Sequence, residues 1–240
     1  MAALDSLDLT IAAGECVALM GPNGSGKTTA GELICGLQEP THGWVRIAGY
    51  SMDIEAEAVA ARRYLSYVPD NPYLYHDLTV ADHMRLVATA HGVARDDMEQ
   101  RITRLLRSLG LENRADFFPA QLSRGMRQKT AIACAVIRPF SVLVLDEPTI
   151  GLDVASVETL RDFLLKSLGT KRAILLMTHD EVFARSVANR VLRIAEGHVW
   201  EDEEQPSGKA RTTGDEPAPA PARRRTRAAK PADEAAGIDG

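Results

Sequence analysis

The sequence predicts an α/β fold in which a mostly parallel central sheet carries helices on both faces. Three observations lead there. Apolar runs of strand length alternate with stretches of helical period, the order that parallel strand-helix-strand units require. A glycine-rich stretch, Gly21-Pro22-Asn23-Gly24-Ser25-Gly26-Lys27-Thr28, joins a buried run to a helix. Two later runs end in polar groups, at Asp146-Glu147 and Thr178-His179-Asp180, and ligands of such folds bind at the C-terminal edge of the sheet.

Each element has its own justification. Leu7-Asp8-Leu9-Thr10-Ile11 alternates apolar and polar residues and is expected to be a half-buried strand, which Ala13-Gly14-Glu15 turns into a buried strand over 15–20. Residues 28–37 are expected to form a helix with Leu33, Ile34 and Leu37 on one face. Residues 43–49 read as a short strand bounded by turn glycines, 56–63 as a short helix, and 65–68 as a strand stopped by Pro69-Asp70-Asn71-Pro72, where two prolines force a loop. From 79 to 109 the period is helical, with Val80, Met84 and Val87 on one face and Ile102, Leu105, Leu106 and Leu109 on another. This helix-rich insert runs through Leu122-Ser123-Arg124-Gly125-Met126 into a helix over 127–137. Residues 141–147 form a buried strand ending in two carboxylates. Then come a helix over 156–168, a strand over 173–177, a short helix from Glu181, and strands over 191–194 and 198–200. Beyond these, 201–240 holds an acidic run, Pro- and Ala-rich sequence and Arg223-Arg224-Arg225-Thr226-Arg227, a composition that cannot bury enough apolar surface to offset ordering entropy. A disordered low-complexity tail is expected there.

With 240 residues and 45% hydrophobic content, the chain can build one good-sized core and at most a small subdomain. A formal net charge of -5 gives no general attraction to nucleic acid, and none is expected as a partner. No apolar run reaches the roughly 18 residues of a membrane span. Asp5 and Asp8 interrupt the apolar segment that a secretory signal needs, so the cytoplasm is the expected compartment. Cys16, Cys35 and Cys134 form no Cys-x-x-Cys pair and read as small buried hydrophobes.

The glycine-rich stretch fits Gly-x-x-x-x-Gly-Lys-Thr in full and in the strand-loop-helix setting of a phosphate-binding loop. Small residues let successive backbone N–H groups converge on an anion, and the helix N-terminus adds partial positive charge. Lys27 would reach the β- and γ-phosphates, and Thr28 would place its hydroxyl on Mg²⁺. Residues Gly21, Pro22, Asn23, Gly24, Ser25, Gly26, Lys27, Thr28 and Thr29 are therefore the candidate ATP contacts. Asp146 would hold the metal through water, and Glu147 would polarise the attacking water.

Five motifs in order make the chain resemble the ATP-binding cassette ATPases over about residues 4 to 200. They are residues 21–28 as Walker A, Leu122-Ser123-Arg124-Gly125-Met126 as the signature, Leu143-Val144-Leu145-Asp146-Glu147-Pro148 as Walker B with its glutamate, Gly151-Leu152-Asp153 as the D-loop, and His179 as the switch histidine. The resemblance implies a P-loop NTPase with a small N-terminal antiparallel β portion and a helical subdomain insert over about 75–138, within a cassette spanning 1–200. It also implies two cassettes, as a homodimer or heterodimer, closing head to tail over two ATP molecules. Ser123 and Gly125 would then serve the partner's γ-phosphate, while His179 would bond the γ-phosphate of its own site and hold Glu147. A separate integral-membrane permease would be the driven partner, with the cassette peripheral on the cytoplasmic face of the membrane. The other open reading is a soluble ATPase acting on ribosomes or DNA; such relatives usually carry two cassettes or a long coiled-coil insert.

Two motifs depart from the family pattern. The signature has Arg124 and Met126 where glycine and glutamine are usual, and Asp70 stands where glutamine is usual. A carboxylate at 70 can take part in Mg²⁺ or water coordination but cannot donate an amide hydrogen bond. Asp70 followed by Asn71-Pro72-Tyr73-Leu74-Tyr75 is similar to bacterial ABC-2-type exporter cassettes, which favours export. The adenine-stacking aromatic that family members carry about twenty-five positions before the loop has no counterpart in this sequence, and Trp44 is a poor substitute.

Overall fold

A six-stranded sheet organises the computed structural model, which describes residues 4–202; most of the tail expected over 201–240 lies outside the described residues. In chain order the elements are β1 (Cys16–Met20), α1 (Lys27–Ile34), β2 (Arg46–Ile47), β3 (Tyr50–Ser51), α2 (Glu55–Tyr64), β4 (Leu65–Val68), α3 (Val80–Ala90), α4 (Arg95–Ser108), α5 (Arg124–Val136), β5 (Val142–Asp146), α6 (Val154–Gly169), β6 (Ala173–Thr178), α7 (Glu181–Val187), β7 (Arg190–Ala195) and β8 (His198–Glu201). The sheet runs β4-β5-β6-β1-β7-β8, parallel throughout except for the β7–β8 hairpin, and β2 with β3 forms a separate antiparallel pair. The expected α/β class, the mostly parallel sheet, the antiparallel β pair and the helical insert between β4 and β5 are all present.

The central strands are apolar along their whole length because both faces are covered. Alternate residues divide between two cores: Ala18, Leu143, Leu145, Ile174 and Leu176 pack with Ile132, Leu160, Leu164 and Phe183 on one face, while Val17, Leu19, Val144, Leu175 and Met177 pack with Ala30 and Ala61 on the other. Each fully buried Leu or Ile contributes about 1.5–3 kcal/mol of transfer free energy, so the sheet centre is a stiff frame for the loops at its C-terminal edge. A third cluster, including Met84, Ile102, Leu106, Leu111 and Ile137, joins α3, α4 and α5.

Several boundaries differ from expectation. Residues 7–11 form no strand: Leu7, Leu9 and Ile11 pack against the core, but no described strand pairs with their backbone. Alternation there reports one-sided burial without a ladder. The strand expected over 43–49 shrinks to β2. Helix α1 ends three residues early because Gly36 takes φ 66°, letting the Leu37 N–H donate to the Glu32 carbonyl at 2.8 Å, so Leu37 leaves the apolar face and is 63% exposed. The 79–109 period splits into two helices where the Val93 N–H donates to the Ala88 carbonyl at 2.9 Å. Helices α5 and α6 each start earlier than expected, behind the caps Ser123 and Asp153.

A cavity of about 610 Å³ opens between residues 7–11, the segment 43–48 and the strand starts Val142 and Ala173. Trp44 lines it, at the sheet edge opposite the phosphate loop, under a cation–π contact 5.4 Å from Arg46. Among the described residues, no helix is long and apolar enough to cross a membrane.

Candidate active site

The order β5-β6-β1 brings three loops together. Parallel pairing sets Met20 against Thr178 and Asp146 against Met177, so the chain leaves β1, β5 and β6 at adjacent points of one edge. The loop after β1 enters α1 through Gly26, whose φ of 106° suits only glycine. This places Lys27 and Thr28 in the first turn, directly beside the ends of β5 and β6.

Consecutive residues in a strand point to opposite faces, yet Asp146 and Glu147 both serve this edge. The reason is local: Glu147 leaves the strand with φ 46°, a left-handed conformation rare outside glycine, while its N–H still donates to the Met177 carbonyl at 2.8 Å. Such backbone strain costs about 1–3 kcal/mol and persists only where surrounding contacts fix it. Here those contacts converge on the carboxylate. Glu147 Oε2 accepts from Thr178 Oγ1 at 3.0 Å, from the His179 N–H at 3.3 Å and from His179 Nδ1 at 2.9 Å. Since a carboxylate only accepts, Nδ1 carries the proton. Glu147 Oε1 makes no hydrogen bond and lies 3.5 Å from Lys27 Nζ.

Lys27 is buried, and its ammonium also donates to the Gly21 carbonyl at 2.7 Å and the Pro22 carbonyl at 3.1 Å. The Thr28 hydroxyl donates to Asp146 Oδ2 at 2.8 Å; Asp146 Oδ1 is buried with no protein partner, as is the Ser25 hydroxyl. Burial pushes the Asp146 carboxyl above the usual range; the Thr28 hydrogen bond opposes that, and the charges of Asp70 and Glu147 add to it. The edge thus holds a cation on the phosphate loop, a buried carboxylate with one open oxygen, and a second carboxylate with one oxygen fixed and one open. Such a set of groups is chemically suited to a triphosphate with a divalent cation, and the open Glu147 oxygen is free to accept a proton from water.

The bonds that hold this cluster together involve neither Ser123 nor Gly125. Ser123 is exposed and caps α5, accepting from the Met126 N–H at 3.2 Å. Gly125 is buried against the loop before α6, where an added Cβ would overlap the Gly151 carbonyl oxygen. Asp70 is half-exposed, with Oδ1 3.4 Å from Arg124 Nη2, so the two departures from the family pattern meet each other. Lys27, Thr28, Asp146, Glu147 and His179 are brought together; Ser123 and Gly125 are not among them.

Three contributors escaped the sequence reading. Thr178 was visible in Thr178-His179-Asp180, but its hydroxyl bond to Glu147 depends on the β5–β6 register. Lys129 Nζ bonds Asp153 Oδ2 at 3.1 Å, tying α5 to the start of α6, and Arg124 pairs with Asp70; no spacing signals either contact.

Asp153 gives a pH prediction. The Ser156 hydroxyl and N–H, then Lys129, hold its carboxyl down at about 2. A depressed folded pKa means that the stabilisation is present above the unfolded value and is lost as pH falls through the folded one. The Asp153 side chain is 64% exposed, so solvent screening leaves only part of this shift as stability; denaturant melts should lose at most about 1 kcal/mol as pH falls from about 5 towards 2, and Asp153→Asn, which keeps a capping oxygen, should flatten that part of the profile. An identical profile in the variant would show that the cap carboxylate contributes nothing.

The protein family described as ABC transporter matches residues 4–150. The SkfA peptide export ATP-binding protein SkfE of Bacillus subtilis (strain 168) is 34% identical over 200 residues, covering 83% of this chain and 82% of the relative. Among solved structures, the dimeric structure of MJ0796, described as a bacterial ABC transporter cassette, superposes with TM-score 0.78 at 29% identity over 86% of this chain and 92% of that one. A dimeric post-hydrolysis state of the same cassette, bound to ADP and Pi, gives TM-score 0.74 at 28% identity over the same shares.

Proposed function

Because the chain belongs to the ABC transporter family of ATP-binding cassettes, we propose that it binds and hydrolyses ATP to power a separate membrane permease, in the export direction. The observation that carries the reading is the cluster in which the buried Lys27 ammonium faces Glu147, itself held by Thr178 and His179, beside the Thr28–Asp146 hydrogen bond. Export is supported by the description of SkfE as a peptide export protein and by the Asp70 segment.

Residues 21–29 cradle the phosphates, with Lys27 exchanging the Gly21 and Pro22 carbonyls for phosphate oxygens. Glu147, through its open Oε1, orients and polarises the attacking water. His179 holds Glu147 through Nδ1. The donor set fits Mg²⁺: Thr28 and Asp146 offer a hydroxyl and a buried carboxylate with one unpartnered oxygen, with Asp70 nearby as a further carboxylate. Mg²⁺ keeps several water and phosphate ligands, so one or two protein oxygens are enough to hold it. When bound, Mg²⁺ would neutralise charge developing on the phosphates.

A second cassette, either another copy of this chain or a related one, completes each site with Ser123 and Gly125; the dimeric form of MJ0796 supports this arrangement. The cassette comprises residues 1–200, its helical part about 75–138. Docking on the permease, around residues 70–86 with Tyr73 and Tyr75 exposed, holds the chain at the cytoplasmic face of the membrane.

Phosphate release from ATP by the purified chain is the test. It should require Mg²⁺, stop with a chelator and fall at least about 100-fold in Asp146→Asn. Hydrolysis unchanged by both the chelator and the substitution would overturn the metal assignment, and no ATP-dependent phosphate release under any condition would overturn the function.

A further inference from the structure

The Asp70–Arg124 pair lies outside the Lys27–Glu147 cluster, and Arg124 has no part in the chemistry above. Arg124 Nη2 is 3.4 Å from Asp70 Oδ1, and their side chains are 64% and 42% exposed. The partners are 54 residues apart in sequence and belong to different parts of the fold. Asp70 follows β4, the neighbour of the strand that ends in Asp146, and its charge is felt at Asp146. Arg124 is the first residue of α5, between Ser123 and Gly125.

A guanidinium in the first turn of a helix is opposed by the helix dipole, and the first turn of α5 holds no acidic residue to compensate. Asp70 is the carboxylate that offsets this charge in the isolated chain. An exposed pair of this kind adds little to stability, so its consequence lies in where it holds Arg124.

We infer that Asp70 is a restraint on Arg124: it holds the arginine within its own chain until the phosphates of an ATP on a second cassette compete for it, and Arg124 then adds a cationic contact beside Ser123 in the closed dimer. The inference rests on the composite site described under the proposed function. Asp70 and the second cassette's phosphates are alternative anions for one guanidinium, and a polyphosphate beside a helix N-terminus is the stronger. Removing Asp70 therefore favours closure, and removing Arg124 disfavours it. Removing both has the effect of removing Arg124 alone, since Asp70 acts only through it.

The test measures the ATP concentration that half-converts Glu147→Gln chains to dimer, by light scattering, with ADP as control and thermal melts for each variant. Asp70→Asn should lower that concentration, and Arg124→Ala should raise it, each by about three- to fivefold, the change an exposed charge pair supports. The double variant should match Arg124→Ala, Arg124→Lys should stay within about twofold of the parent, and the shifts should shrink with added salt while the melts stay together. No change in Arg124→Ala overturns the inference. So does an Asp70→Asn effect that persists without Arg124, or one that raises the ATP requirement, the sign expected if Asp70 serves the metal instead. If the Glu147→Gln parent stays monomeric in ATP, the composite-site reading itself fails, and the restraint with it.

Discussion

Glu147→Gln is expected to bind ATP with near wild-type affinity while turnover falls by about 10²–10⁴-fold, the contribution of a positioned general base. The exchange keeps the shape and removes the charge. Oε2 accepts three hydrogen bonds in the structure, from Thr178, the His179 N–H and His179 Nδ1, and a glutamine carbonyl oxygen can keep all three. The loss then falls on Oε1, the atom that makes no hydrogen bond and faces Lys27 at 3.5 Å, which becomes an amide nitrogen unable to accept a proton. A near-normal affinity separates this outcome from general damage, because the phosphate loop contacts no atom that changes except through Lys27. Phosphate release together with nucleotide binding decides the matter: turnover near wild type removes Glu147 from the chemistry.

The second large effect concerns two chains at once. Lys27→Ala should abolish detectable turnover by itself, since the buried ammonium is the cation nearest the carboxylate, and charge-assisted bonds to phosphate contribute about 1.5–3 kcal/mol each. Ser123→Arg should do so by filling the space that the second cassette's phosphates need, at the cost of one helix cap, about 1 kcal/mol. Mixed one to one, the two inactive preparations should recover up to about a quarter of wild-type turnover: half of the dimers are mixed, and each mixed dimer has one site with both halves intact. Circular dichroism of Ser123→Arg should match that of wild type and serves as the folding control. No recovery at any ratio, with mixed dimers shown by tagging, would place each site within a single chain.

How far the sequence discloses this site follows from which contacts are local. Lys27 and Thr28 are fixed by the loop and the helix that follows it, and Asp146 and Glu147 by the end of a strand, so residue type and spacing suffice to point to them. Their mutual placement needs only the rule that parallel strands end at one edge. The φ of 46° at Glu147, which turns two consecutive carboxylates to one site, has no sequence signature. Thr178, Lys129 and the Asp70–Arg124 pair depend on register and on how α5 lies against the sheet, neither of which periodicity encodes. The fold shows the same division. The buried strands were legible because their neighbours are equally apolar, whereas residues 7–11 alternate like a strand although no described strand pairs with them, since alternation records burial and not pairing. Helix ends moved where caps decide them, at Gly36, Ser123 and Asp153.

ATP is expected to join two chains, each completing the other's site. Light scattering of the purified Glu147→Gln chain measures this directly. In ATP and Mg²⁺ its mass should double, and in ADP or without nucleotide it should return to that of one chain. A single-chain mass in ATP, at concentrations where the nucleotide is shown to be bound, would contradict the account.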